Sequence, residues 1–133
     1  MKRPEETGKA MNGSMPVAVL GASSNPDRYA NMAVRMLKRA GFRVIPVNPR
    51  ETDIEGLTAV SRLSDIHEPV HTLTLYVGPL RCRALVDEIV ALNPARVIFN
   101  PGTEFDELEK RLEAAGIPAV KACTLVMIQS GQF

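Results

Sequence analysis

Residues 17–50 read VAVLGASSNPDRYANMAVRMLKRAGFRVIPVNPR, and the fold turns on this stretch. Val17-Ala18-Val19-Leu20 is a short apolar run stopped by Gly21, as a strand buried on both faces requires. A loop of small residues follows. Ala30, Ala33, Val34, Leu37 and Ala40 then recur at helical spacing, and Gly41 is placed to take the left-handed position that ends a helix. Phe42 to Val47 is a second strand, closed by Asn48-Pro49. Strand, helix and strand joined by short connections make a parallel pair with a right-handed crossover.

Working toward the C-terminus, the same alternation continues. Gly56 to Val60 predicts a brief extended piece, and Ser61 a cap for a single helical turn through Ile66. Thr72 to Val77 (TLTLYV) is a third strand, rich in β-branched and aromatic residues and halted by Gly78-Pro79. Leu80, Ala84, Leu85, Ile89 and Leu92 form the stripe of a second helix, with Pro79 in its first turn. Ala95 to Phe99 is strand four, and Asn100-Pro101-Gly102 a turn. Thr103 and Asp106 have the spacing of a capping box for a third helix, with stripe Phe105, Leu108, Leu112 and Ala115 and a stop at Gly116. Ile117 to Lys121 is strand five, and Thr124 to Ile128 a short closing helix. The reading is α/β: one doubly wound, mainly parallel five-stranded sheet with helices on both faces, spanning residues 16–133. Residues 1–15 (MKRPEETGKAMNGSM) are polar and without period, and read as a flexible leader.

Composition bounds the rest. The length of 133 residues suits one domain, and 45% hydrophobic residues can bury a single core. A net charge of +1 excludes a broadly basic nucleic-acid binder. Cys82 and Cys123, 41 residues apart with no CxxC or Cys/His cluster, give neither a disulfide framework nor a zinc site, which points to a reducing, cytoplasmic setting. No apolar run approaches the roughly 18–20 residues of a membrane span.

In doubly wound sheets ligands sit at the carboxyl ends of the strands, so the loops there are the candidates. Gly21-Ala22-Ser23-Ser24-Asn25-Pro26-Asp27-Arg28 combines small residues, which let the backbone approach a phosphate, with a helix amino terminus and a forked donor in Arg28. It departs from the GxGxxG fingerprint, because Ser23 and Pro26 replace the second and third glycines. A strand-to-helix turn without a ligand is the competing explanation. The end of strand two offers Val47-Asn48-Pro49-Arg50 where an NAD site places a carboxylate, and an arginine there suits a ribose carrying a phosphate. NADP and coenzyme A both meet that description.

Together with LYVGP at 75–79, IFNPGTE at 98–104 and KACTLVMIQSGQF at 121–133, the opening stretch resembles the small stand-alone CoA-binding proteins. These are single Rossmann-type domains related to the CoA-binding domain of acyl-CoA synthetases and of the succinyl-CoA synthetase alpha chain. The resemblance implies that Gly21, Ala22, Ser23 and Ser24 lie against the CoA diphosphate, with Arg28 reaching its phosphates. It implies that Asn48, Pro49 and Arg50 adjoin the adenosine and its 3′-phosphate, and that Val77, Pro79 and the loop Asn100, Pro101, Gly102 and Thr103 line the nucleotide. The ATP-grasp half and phosphorylated histidine of the large synthetases have no counterpart, so no ligase activity is implied.

No catalytic constellation stands out. His67 and His71 precede strand three, at the end of the sheet away from the expected ligand. Cys123 follows strand five at the ligand end, beside Thr124 and two residues after Lys121, and is the one candidate for a thiol contact; a small buried residue is the competing explanation. The expectation is therefore a module that binds CoA or a short acyl-CoA without catalysis of its own. An NADP-dependent oxidoreductase is the alternative, and a purely structural domain the third possibility. Charge favours an anionic ligand: residues 16–50 carry Arg28, Arg35, Lys38, Arg39, Arg43 and Arg50 against Asp27 alone.

Overall fold

In a computed structural model that describes residues 15–133, five parallel strands form the central sheet. The expected leader over 1–15 lies, Met15 apart, outside the described residues. The elements are β1 (Val17–Leu20), α1 (Tyr29–Arg39), β2 (Val44–Val47), β3 (Asp53–Ile54), β4 (Leu57–Thr58), β5 (Thr72–Leu75), α2 (Pro79–Cys82), α3 (Val86–Leu92), β6 (Arg96–Phe99), α4 (Asp106–Ala114), β7 (Ala119–Lys121) and α5 (Thr124–Gln129). Single 3₁₀ turns occupy Leu63–Asp65 and Arg83–Leu85. The sheet order is β2-β1-β5-β6-β7, with Val17 opposite Val44 on one side and Thr72 on the other. The chain winds first toward β2 and then back across β1 to β5, so the order reverses there, and the crevice at that reversal is where such sheets hold ligands.

The central strands β1, β5 and β6 are buried on both faces. On one face Ala18, Leu20, Leu73, Leu75, Val97 and Phe99 pack against α3 and α4 through Val86, Ile89, Leu108 and Leu112. On the other, Val17 and Val19 meet Val34 and Leu37 of α1. Beyond β2, the β3–β4 hairpin turns through Glu55 and Gly56, both with positive φ (53° and 78°), as a tight two-residue hairpin turn demands. Val60 then donates its N–H to Pro46 O and pairs with Val47, which extends the sheet past a strand that Pro46 weakens as a donor.

Three sequence expectations change. The piece expected at 56–60 is the second half of the β3–β4 hairpin, and the turn near Ser61 is a 3₁₀ turn flanked by Arg62. The expected second helix is broken into α2, a 3₁₀ turn and α3, and its phase differs: Cys82, Val86 and Ile89 are buried while Leu80 is 82% exposed. Leu85, at φ −110° and ψ 0°, closes the 3₁₀ turn before α3. No capping box forms at α4. Phe105 occupies the N-cap without a side-chain bond, and Thr103 Oγ1 instead donates to Asn100 O at 2.8 Å. Asp106, Glu107 and Glu109 lie in the first turn, where acids favour the helix dipole.

Candidate functional site

A cleft of about 480 Å³ opens at the carboxyl ends of β1 and β2, on the α3 side of the sheet. Leu20, Val47, Leu63 and Val77 make its apolar walls, Gly21 and Pro49 its edge, and Arg62, Arg81 and Glu88 its polar rim. Arg62 and Glu88 are joined by an ion pair of 3.2 Å. A second cavity of about 290 Å³ lies on the opposite face of the sheet, lined by Tyr29, Tyr76, Asn100, Pro101, Cys123 and Leu125. Gly21 sits between them against Tyr76 and Val77, which line one cavity each.

The loop after β1 is built by its hydrogen bonds. Gly21 and Ala22 both donate N–H to Val47 O (3.1 and 3.2 Å), so neither has a free donor to offer an anion. The smallness of Gly21 serves the chain itself, since a Cβ there would lie 2.8 Å from Tyr76 O and the backbone holds φ at +89°. Asn48 fastens the loop to the end of β2: its Nδ2 donates to Ala22 O at 2.8 Å, while its Oδ1 accepts from the N–H groups of Arg50 and Glu51 (2.7 and 2.8 Å). Asn31, fully buried on α1, holds the other side by donating to Ser23 O at 2.9 Å and to Glu55 Oε2 at 3.0 Å. Among the described residues, the N–H groups of Ser23, Tyr29 and Ala30 have no protein acceptor. The latter two belong to the first turn of α1, whose N-cap Arg28 makes no side-chain bond.

The expected residues therefore divide. Gly21, Pro49 and Val77 line the cleft, and Asn100, Pro101 and Cys123 the second cavity. Ser23, Ser24, Arg28, Asn48 and Arg50 surround the loop, with Ser24, Arg28 and Arg50 exposed. Ala22 is buried in the core, Pro79 is exposed at the start of α2, and Gly102 and Thr103 belong to the turn after β6. Asn100 is occupied internally: Nδ2 donates to Thr74 Oγ1 and Leu75 O (2.7 and 2.8 Å), and Oδ1 accepts the N–H of Thr124 at 2.8 Å. Tyr76 Oη is buried without a hydrogen-bond partner among the described residues, and burial pushes the phenol up to about 12.

Sequence reasoning missed the far wall of the cleft. Arg81, Ala84, Leu85 and Glu88 share one face at spacings of three and four; the sequence reading places Ala84 and Leu85 in the core stripe and gives Arg81 and Glu88 no role. Ser61 and Arg62 fell in a stretch without period. It also read the end of β2 as lacking a carboxylate. The structure corrects this, because the turn at Asn48 brings Glu51 back over the loop, where its Oε2 accepts the N–H of Ser24 at 3.2 Å. Of the cysteines, Cys82 is buried in the core, its thiol pushed up to about 11 by burial, and Cys123 is half-buried. Among the described residues no group of three or more His, Cys, Asp or Glu could hold a metal ion, and no helix is long and apolar enough to cross a membrane.

A family model described as the CoA binding domain matches residues 16–129. The chain is 34% identical over 71 residues to the uncharacterized protein YneT of Bacillus subtilis (strain 168), a match that spans about half of either chain (53% of each). It is 40% identical to an uncharacterized protein of known crystal structure, with a TM-score of 0.84, covering 91% of this chain and 99% of that one. The dinucleotide-forming acetyl-coenzyme A synthetase 1 of Ca. Korarchaeum cryptofilum shares the fold at a TM-score of 0.73 and 22% identity, over 86% of this chain and 26% of that one.

Proposed function

Since the chain belongs to the CoA binding domain family over residues 16–129, we propose that it binds coenzyme A or a short acyl-CoA at the carboxyl ends of β1, β2 and β5. The observation that carries the reading is the apolar cleft of about 480 Å³ at the point where the strand order reverses. A flat base can be buried between Leu20, Val47, Leu63 and Val77. The free N–H groups of Ser23, Tyr29 and Ala30, the positive end of α1 and the Arg28 guanidinium all belong to the loop after β1 and the first turn of α1, a set of donors that suits a diphosphate. Arg50, exposed at the end of β2, suits a 3′-phosphate. From the diphosphate, the pantetheine would cross the crest formed by Gly21 and Val77 toward the second cavity, and Cys123 would adjoin the thiol or acyl end.

A thermal-shift panel of CoA, acetyl-CoA, dephospho-CoA, NADP and NAD tests this. CoA or acetyl-CoA should stabilise the fold by about 2.7 kcal/mol at a hundredfold excess over Kd. Arg28→Ala should diminish every diphosphate response. Silence across the panel would overturn the reading. Oxidised CoA should add one CoA to the protein by thiol–disulfide exchange, releasing one free CoA thiol, and Cys123→Ser should abolish the adduct; an adduct that persists would remove Cys123 from the site.

A further inference from the structure

We infer that Glu51 makes the loop after β1 discriminate among nucleotides by whether the adenosine ribose carries a phosphate. The inference rests on the proposed binding of an adenosine diphosphate group at that loop.

Glu51 is half-buried and fixed in place by the turn that precedes it. Asn48 Oδ1 accepts its backbone N–H at 2.8 Å, and its carboxylate Oε2 accepts from Ser24 N–H at 3.2 Å and, at the limit of bonding distance, from Asn48 Nδ2 at 3.4 Å. Both donors are neutral. Among the described residues no Lys, Arg or His forms an ion pair with Glu51. A carboxylate offers about four lone-pair positions, and two are used here. The remaining ones point the chemistry toward hydroxyl donors, and a ribose with free hydroxyls supplies such donors where β2 ends.

A phosphate on the same ribose meets the opposite situation. Arg50 attracts it and Glu51, the next residue, repels it. The turn Asn48–Glu51 thus presents adjacent charges of opposite sign to one part of the ligand, and Glu51 lowers the preference that Arg50 alone would give. Replacing the carboxylate by an amide keeps one oxygen to accept Ser24 N–H, removes the charge and turns the other oxygen acceptor into an NH2 donor.

The test is the ratio of CoA to dephospho-CoA affinity, measured by calorimetry for the wild-type protein, Glu51→Gln, Glu51→Ala and Arg50→Gln. Glu51→Gln should raise the ratio about tenfold, chiefly by tightening CoA, the effect expected for one charge removed several ångströms from a phosphate in a hydrated site. Glu51→Ala should move it in the same direction, and Arg50→Gln in the opposite one. An unchanged ratio in Glu51→Gln and Glu51→Ala, with both ligands bound, would overturn the role of Glu51 alone. If wild type and variants bind neither ligand, the reading of the loop as a nucleotide site fails and the inference falls with it.

Discussion

At Gly21 the backbone geometry and the packing exclude a side chain together. Its φ of +89° is costly for any L residue, and an added Cβ would press on Tyr76 O at 2.8 Å and on Val77 Cγ1 at 2.9 Å. Gly21→Ala should therefore cost about 2–4 kcal/mol in urea unfolding, combining left-handed strain with overpacking; a loss within about 0.5 kcal/mol, as at an ordinary surface site, would show that the crossing of the strand ends relaxes easily. The residue was picked out in the sequence for its smallness, but periodicity and composition say nothing of which neighbour needs that smallness. Glu51 was invisible for a related reason. Only the turn at Asn48 brings it back across the loop, to a Ser24 that lies 27 residues away in sequence.

Among the elements, β1, β2, β5 and β6 and helices α1 and α4 were legible because their apolar residues match the faces they bury, whereas β7 and α5 were legible as short apolar runs although little of either is buried. The segment Pro79–Leu92 was legible as helical but not in its phase. A continuous stripe through Leu80 predicts that this side chain packs on the sheet, whereas the inward face is Cys82, Val86 and Ile89 and the cleft face Arg81, Ala84 and Glu88. Two substitutions separate these arrangements. Ile89→Ala should cost about 2–4 kcal/mol and Leu80→Ser less than about 0.5 kcal/mol by urea denaturation; equal costs would restore the unbroken stripe. The turn after β6 was legible as a turn, but its Asn100 is committed to Thr74, Leu75 and Thr124. Hydrogen bonds between side chain and backbone across strands leave no periodic trace, so this internal role of Asn100 has no signature in the sequence.

Across the whole molecule, pH reports on the end of the sheet away from the cleft. Burial, and then the nearby Arg96 guanidinium, hold the His71 imidazole below its ordinary 6.5. The unfolded chain takes up that proton more readily, so the stability contributed by the neutral ring is complete above pH 6.5 and is lost as pH falls from there through the lowered folded value. Between about pH 7.5 and pH 5.5 the wild type should lose more stability than His71→Asn, and parallel losses would contradict this. Of the six cations that residues 16–50 carry against Asp27 alone, Arg28 and Arg50 stand at the ligand end, whereas Arg43 precedes β2 at the other end and pairs with Glu68 at 2.8 Å, so the near-neutral total conceals a polarised chain. The central claim is that this end of the sheet takes CoA. Amide chemical-shift mapping during titration with CoA tests it most directly: shifts should concentrate at Gly21–Ala30, Val47–Glu51 and Val77–Gly78 and saturate with one ligand per chain. A spectrum that CoA leaves unchanged, or shifts confined to α4 and β7, would contradict it.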